Sequence, residues 1–342
     1  MQRCLDLALL GAGHTAPNPM VGAVLVLEDR IIGEGYHQQY GHPHAEVNCI
    51  NSVLPEDEPL ISKSTLYVSL EPCVHFGITP PCTDLIIKKN IPEVVVACRD
   101  SYDEVNGKGI EKLRAAGINV ITDVMQKEAL ELNRRFFTFH RYQRPYIILK
   151  WAETKDGKIS SGDKERTFIS NEYSNRLVHK WRTEEAAIMV GTNTALLDDP
   201  ALTARLWSGK DPVRIVIDMQ LKLPASLKLF DGSVNTIVFN QKKQEEGGKI
   251  AYHQIEADAP AIPQILKILF QLRLQSVLVE GGAKLLQSFI DAGLWDEARV
   301  ISSSQLVVDS GQGVSAPILM NHELIHTQEI ETDIINIYQH QH

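Results

Sequence analysis

Gly41-His42-Pro43-His44-Ala45-Glu46, followed after one predicted strand by Leu70-Glu71-Pro72-Cys73 and then by Pro80-Pro81-Cys82, decides how the first half of the chain is read. One imidazole, from His44, and two thiolates, from Cys73 and Cys82, form a Zn²⁺ donor set. Three protein ligands leave the fourth tetrahedral position open, as in catalytic rather than structural zinc sites. Glu46, two residues after His44, stands where a proton-transfer group is needed. His42 is the poorer ligand candidate, because only His44 carries the Ala-Glu that follows. The cysteines flank eight residues, Val74 to Pro81, where the short form of such motifs has two. Pro80-Pro81 stiffens the return of this longer loop, and Gly77 permits a sharp bend. Taken singly, these residues read as reduced cysteines and a surface histidine; as an ordered set with the glutamate and prolines they read as a metal site.

Working outward, residues 2–12 are a predicted helix with Cys4, Leu5, Ala8 and Leu9 on one face. Ala16-Pro17-Asn18-Pro19-Met20 is a stiff loop whose prolines set where Asn18 points. Val21 to Glu28 and Ile31 to His37 form a hairpin, His44 opens a helix to Val53, and Thr65 to Leu70 is a strand that delivers Cys73. Helix starts at Cys73 and Cys82 would favour thiolates. Then come a strand at Glu93 to Ala97, a helix from Lys108 to Ala116, a strand at Ile118 to Thr122 and one long helix, Met125 to Arg141. Pro145 stops that helix, so Arg144-Pro145 is the expected boundary between domains 1–144 and 145–342. Beyond it the predicted strands begin at Tyr146, Ala186, Val213, Thr236, Ser276 and Ala298, with helices at Asn171 to Arg182, Ala261 to Leu272 and Ala283 to Ala292. Strands alternating with helices give an α/β class and largely parallel sheets. Lys242 to Lys249 reads as an exposed loop, and Gln339-His340-Gln341-His342 as a disordered end.

At 342 residues the chain has room for two domains, and 44% hydrophobic with 23% charged residues supplies core for both. A net charge of −9 disfavours nucleic acid as the main partner. No apolar run has the roughly 18 residues of a membrane span. The N-terminus lacks a cleavable signal pattern, and five cysteines fit a reducing cytoplasm better than a disulfide framework.

Pro17-Asn18-Pro19-Met20-Val21-Gly22-Ala23, His44-Ala45-Glu46, Glu71-Pro72-Cys73 and Thr79-Pro80-Pro81-Cys82 together resemble the deaminase half of bifunctional riboflavin-biosynthesis deaminase/reductases. In the second half Lys150-Trp151-Ala152, Asp156-Gly157-Lys158-Ile159, Val190-Gly191-Thr192, Asp198-Asp199-Pro200-Ala201-Leu202-Thr203 and Val279-Glu280-Gly281-Gly282 follow in the order of that family's reductase. The resemblance implies a cytidine-deaminase-like αβα domain and then a dihydrofolate-reductase-like α/β domain. It implies zinc-dependent removal of the 2-amino group of 2,5-diamino-6-ribosylamino-4(3H)-pyrimidinone 5′-phosphate, then reduction of the ribosyl unit by NADPH. The partners it implies are a phosphorylated pyrimidine and a second copy of the chain, paired through the reductase domain.

By the same resemblance Asn18 and His75 contact the pyrimidine, Lys150, Arg182 and Arg205 surround the substrate phosphate, Asp199 and Glu280 lie on the sugar, and Leu202 also binds substrate. Asp199 is also the candidate for proton delivery in reduction. Phe168, Ser170, Thr192, Gly281 and Gly282 match cofactor-contacting positions. No G-x-G-x-x-G follows a strand, so a Rossmann site is not indicated; Val277 to Gly282 is a strand whose closing glycines let a phosphate approach helix amides. The chain departs from the family at Ile78, where a basic residue is usual, in the loop Asp100 to Asp103, and at Ser302 to Leu306. Two rivals stand beside this reading: a zinc deaminase of nucleic-acid bases with a C-terminal binding domain, and a non-catalytic protein with structural zinc. Net acidity weighs against the first and Glu46 against the second.

Overall fold

The computed structural model describes residues 1–76, 80–100, 106–162, 167–308 and 313–341. It divides into two units, Met1–Gln143 and Arg144–His342. Ile78, and Ser101 to Asp103 of the second departing loop, lie outside the described residues.

In the first unit helix α1 (Gln2–Leu9) precedes the hairpin β1 (Gly22–Leu27) and β2 (Arg30–Tyr36). Then come α2 (Ala45–Asn51), a 3₁₀ turn (Glu58–Lys63), β3 (Thr65–Val68), α3 (Cys82–Lys88), β4 (Glu93–Val96), α4 (Lys108–Ala115) and β5 (Asn119–Ile121). The strands form one sheet in the order β2-β1-β3-β4-β5, antiparallel from β2 to β3 and parallel from β3 to β5. Leu25, Leu66, Val68, Val94 and Val96 from the strands meet Ile50, Ile86 and Ile110 from the helices in the core. Helix α2 lies very close to β2: a Cβ at Gly35 would stand 2.4 Å from the Cys49 amide nitrogen. That glycine brings the helix carrying Glu46 down onto the sheet.

The expected long helix is two, α5 (Gln126–Leu132) and α6 (Arg134–Tyr142), broken at Asn133. The reason is tertiary. The Asn133 amide bonds both backbone groups of Met20, donating to its carbonyl and accepting from its N–H at 2.8 Å each. It thereby clamps the Asn18 loop, and periodicity carries no trace of that bond.

The second unit begins with β6 (Tyr146–Glu153), β7 (Lys158–Ser160), α7 (Glu172–Glu184), β8 (Ala187–Gly191), α8 (Thr192–Asp198) and β9 (Val213–Ile217). It continues through a 3₁₀ turn (Lys228–Phe230), β10 (Thr236–Asn240), β11 (Ile250–Gln254), α9 (Ala261–Gln271), β12 (Ser276–Val279), α10 (Ala283–Asp291) and β13 (Glu297–Ser303). β14 (Val314–Ser315), β15 (His322–Ile330) and β16 (Asp333–His340) complete it. Nine strands make one sheet, β11-β10-β9-β8-β12-β6-β13-β16-β15, with every pair from β11 to β13 parallel. The β15–β16 hairpin closes the far side antiparallel. Ile147, Leu149, Met189, Val277, Val279, Phe239 and Phe289 form its largest core.

One expectation is corrected in this unit, and several elements were not foreseen, among them β15 and α8. Gln339 and His340 are no loose end: Gln339 pairs with Glu297, the His340 N–H donates to the Asp296 carbonyl at 3.0 Å, and its ring packs on Trp295. β15 was not foreseen because its side chains are exposed and do not alternate apolar with polar. α8 was not foreseen because it is short. Among the described residues no helix is long and apolar enough to cross a membrane.

Candidate active sites

The first site sits where α2 and α3 begin. His44 is the extended residue that caps α2, and Glu46 lies in its first turn, 3% exposed. Cys82 opens α3, whereas Cys73 stands in the loop after β3 and not at a helix start. Its sulfur nevertheless receives the Cys82 N–H at 3.3 Å, and its carbonyl receives the Thr83 N–H and hydroxyl at 3.2 and 3.1 Å. His44 Nδ1 lies 3.5 Å from the Cys73 sulfur and 3.4 Å from the Cys82 sulfur. Tetrahedral zinc with ordinary bond lengths spaces a nitrogen and a sulfur ligand about 3.6 Å apart. These three ligand atoms, all within 4.8 Å of one another, therefore fit the ion.

Hydrogen bonds from Cys82 and His44 hold the Cys73 thiol well below the usual thiol range, while its bond to Cys73 and burial push Cys82 up. Burial, and then the neighbouring Cys73, raise the Glu46 carboxyl.

Two residues given no role by the sequence support this centre. Glu71, buried, accepts backbone N–H groups of Asp100 (3.2 Å), Gly107 (2.9 Å), Gly109 (2.8 Å) and Ile110 (3.2 Å). One carboxylate thus ties the segment carrying Cys73 to the start of α4. Glu71→Gln turns amide hydrogens toward those donors and is expected to cost about 2–3 kcal/mol. Thermal unfolding should show the first unit's midpoint falling by several degrees; an unchanged midpoint would contradict the clamp.

His37 is the second. Its Nδ1 lies 3.1 Å from the Pro43 carbonyl, which can only accept, so Nδ1 carries the proton. Nε2 then accepts from Asn18 Nδ2 at 3.2 Å, which fixes the orientation of the Asn18 amide. The His37 ring also packs edge-on against His44. His75, two residues past Cys73, is half-buried.

The second site is a cavity of about 1430 Å³ at the carboxyl ends of β6, β8 and β12, where ligands of open parallel sheets bind. Lys150, Arg182, Leu202, Arg205 and Glu280 all line it. Arg182 grips the Glu280 carboxylate with two bonds of 2.8 and 2.7 Å and donates to the Thr203 carbonyl at 3.0 Å. Lys150 Nζ stands 4.0 Å from the same carboxylate. Burial by itself would raise Glu280, but Arg182 and Lys150 outweigh it and hold the acid at about 2.

Phe168, Ser170, Thr192, Gly281 and Gly282 line the other part of the cavity. Phe168 is 78% exposed. The Thr192 hydroxyl is spent on the Ile217 carbonyl at 2.6 Å, while Thr194, one half-turn on, also lines the wall.

Asp199 is not brought to this cavity with the others. Its left-handed backbone ends α8 and turns the carboxylate to the Lys228 N–H (2.8 Å) and ammonium (3.2 Å). Its neighbour Asp198 lines the cavity instead. Two consecutive aspartates look alike in sequence; the helix end decides which one faces inward.

Residues 145–335 match the RibD C-terminal domain family, and residues 1–98 match the zinc-binding region of cytidine and deoxycytidylate deaminases. The riboflavin biosynthesis protein RibD of Aquifex aeolicus is 42% identical over 92% of this chain and 88% of its own length. The chain belongs to the RibD family. The RibD of Escherichia coli is 32% identical over 92% of the chain and 89% of its own length. Among solved structures, a diaminohydroxyphosphoribosylaminopyrimidine deaminase/5-amino-6-(5-phosphoribosylamino)uracil reductase from Thermotoga maritima aligns with TM-score 0.90 and 34% identity. It covers the whole chain and 97% of its own. RibD of Acinetobacter baumannii aligns with TM-score 0.89 and 29% identity over 100% and 98%. The mixed α/β fold, with a deaminase-like first domain and a RibD reductase second domain, is therefore established.

Proposed function

We propose that the chain carries out two successive steps of riboflavin biosynthesis, with residues 1–144 as deaminase and 145–342 as reductase. The observation that carries the reading is the His44–Cys73–Cys82 triad beside buried Glu46 in a RibD-family chain whose second domain holds the charged cavity. The first step hydrolytically removes the 2-amino group of 2,5-diamino-6-ribosylamino-4(3H)-pyrimidinone 5′-phosphate. The second uses NADPH to reduce the ribosyl unit of 5-amino-6-(5-phosphoribosylamino)uracil to ribityl.

His44, Cys73 and Cys82 would hold zinc, which when bound would supply the Lewis acidity that makes water a nucleophile near neutral pH. Glu46 takes one proton from the attacking water and passes it to the ring nitrogen, then moves the second, from the hydroxyl now on carbon, to the amino group, which leaves as ammonia. Its raised carboxyl suits a group that must both accept and give. Asn18, its Nδ2 committed to His37, offers Oδ1 to an N–H of the pyrimidine edge. His75 closes over the ring from the cysteine loop.

In the second unit, reduction needs the nicotinamide positioned against the sugar carbon. We place the cofactor along Phe168, Ser170, Thr192, Gly281 and Gly282, and the sugar phosphate among Lys150, Arg182, Leu202 and Arg205, with Glu280 fixing the Arg182 fork. Asp199 supports the wall through Lys228, and we place Asp198, which lines the cavity, beside the sugar. Asp198→Asn should therefore lower reductase turnover on the order of tenfold or more, with Asp199→Asn changing it less. The reverse ranking in steady-state assays would return the role to Asp199. We also infer a cytoplasmic enzyme that pairs through its second domain, where outer strand β15 exposes Leu324 and Ile325; light scattering at a monomer's mass would exclude the pairing.

Mass spectrometry of products tests both steps. Deamination adds about 1 Da without NADPH, and reduction about 2 Da more with it. Stripping zinc with a chelator should abolish the first gain and spare reduction of supplied deaminated substrate. Loss of both, or of neither, would break the assignment of one step to each domain.

A further inference from the structure

One buried side chain in the reductase cavity has no role in the steps above. His179 lies on α7 between Asn175 and Arg182, on the face of the helix that lines the cavity. It is 1% exposed, and its Nδ1 is buried with no hydrogen-bond partner. Buried polar atoms are nearly always paired, so an orphan in a cavity wall calls for a cause.

The groups that act on the ring come from three parts of the chain. Arg182 faces it from its own helix, Arg205 and the Thr203 carbonyl from the segment after α8, and Glu280 from the end of β12. Lys150 of β6 stands behind Glu280. Of the charges that act on the ring, two guanidiniums stand against one carboxylate, Glu280. Burial first, and then Arg182 and Arg205, hold the imidazole down at about 4, so it is neutral in the free protein at ordinary pH. Glu280 and the Thr203 carbonyl pull the other way. A ring held neutral by burial and then by two guanidiniums gains proton affinity once a dianion settles on those guanidiniums, because the anion cancels their repulsion and adds an attraction of its own.

We propose that His179 is a proton-accepting positioning residue of an anion subsite: a tetrahedral dianion held by Arg182 and Arg205 draws one proton from solvent onto the imidazole, whose new charge secures the anion. No bond of the anion forms or breaks, and the proton is the sole species exchanged. The inference rests on reading this cavity as the seat of a phosphate monoester, and it makes phosphate binding tighter as pH falls.

Inorganic sulfate is the probe, because it stays dianionic across the range and adds no titration of its own. Calorimetric titration of the full chain at about pH 6, in two buffers of different ionisation heat, counts protons taken up on binding. The wild type should take up on the order of half to one proton per chain and bind sulfate several-fold tighter at about pH 6 than at about pH 8. His179→Gln and His179→Asn should bind more weakly, take up none and lose the pH dependence. Equal uptake in the variants, sulfate binding by the wild type without uptake, or no sulfate binding at all would each overturn the proposal. Nitrogen-15 shifts of the imidazoles in the wild type give a readout independent of how the variants fold. One ring should pass from neutral to imidazolium on sulfate addition, and no change would overturn the idea. Failure to reduce the deaminated pyrimidine with NADPH would instead sink the functional reading, with proton uptake still measurable.

Discussion

Glu46→Gln should lower deamination on the order of 10³-fold while leaving reduction of supplied deaminated substrate untouched. The substitution keeps the shape of a side chain that is 3% exposed in the first turn of α2, so packing is preserved. It leaves His44, Cys73 and Cys82 in place, so zinc content should not change. What is lost is the capacity to take a proton from water and return it to nitrogen, since an amide can do neither. Zinc analysis and product mass, measured on the same preparation, separate this from loss of the metal. Deamination within a few-fold of the wild type would remove Glu46 from proton transfer and leave the structural-zinc rival standing.

Gly281→Ala should damage the reductase as specifically. A Cβ there would lie 2.6 Å from Val190 Cα and 2.7 Å from the Gly191 nitrogen. Both are main-chain atoms, which cannot rotate aside, so the ends of β8 and β12 must part. Overpacking of this kind costs about 1–3 kcal/mol. The displaced turn carries Gly282 and faces Thr192 and Thr194, the wall proposed for the cofactor. The apparent KM for NADPH should rise at least about tenfold, equivalent to about 1.4 kcal/mol. Deamination should be spared. An unchanged KM would place the cofactor elsewhere in the cavity.

These two expectations differ in how far they were legible before the fold was known. Glu46 could be proposed from spacing, because it follows His44 by two residues and so falls in the first turn of the helix that His44 caps. The triad was legible from spacing as well, and the family order of short motifs pointed to the reductase. The steric role of Gly281 was not legible. Gly281-Gly282 reads as a tight turn, and only the 2.6 Å approach of β8 shows why no side chain fits.

What the sequence determined by itself, then, was the α/β class and the family, and it offered as expectations the division near Arg144, the zinc donor set and the charged residues of the second cavity. All of these are carried by local pattern: strand and helix periodicity, prolines, and donor residues at fixed spacing. The tertiary structure decided what depends on groups far apart in the chain. It set the break at Asn133 through Met20, the four amides gathered by Glu71, and the tautomer of His37 set by Pro43. It also turned Asp199 toward Lys228 while Asp198 faced inward, stitched β16 to β13, and buried His179 among guanidiniums from two elements. In each case the deciding energy is a hydrogen bond or charge between segments, which has no period along the sequence and exists only once the segments meet.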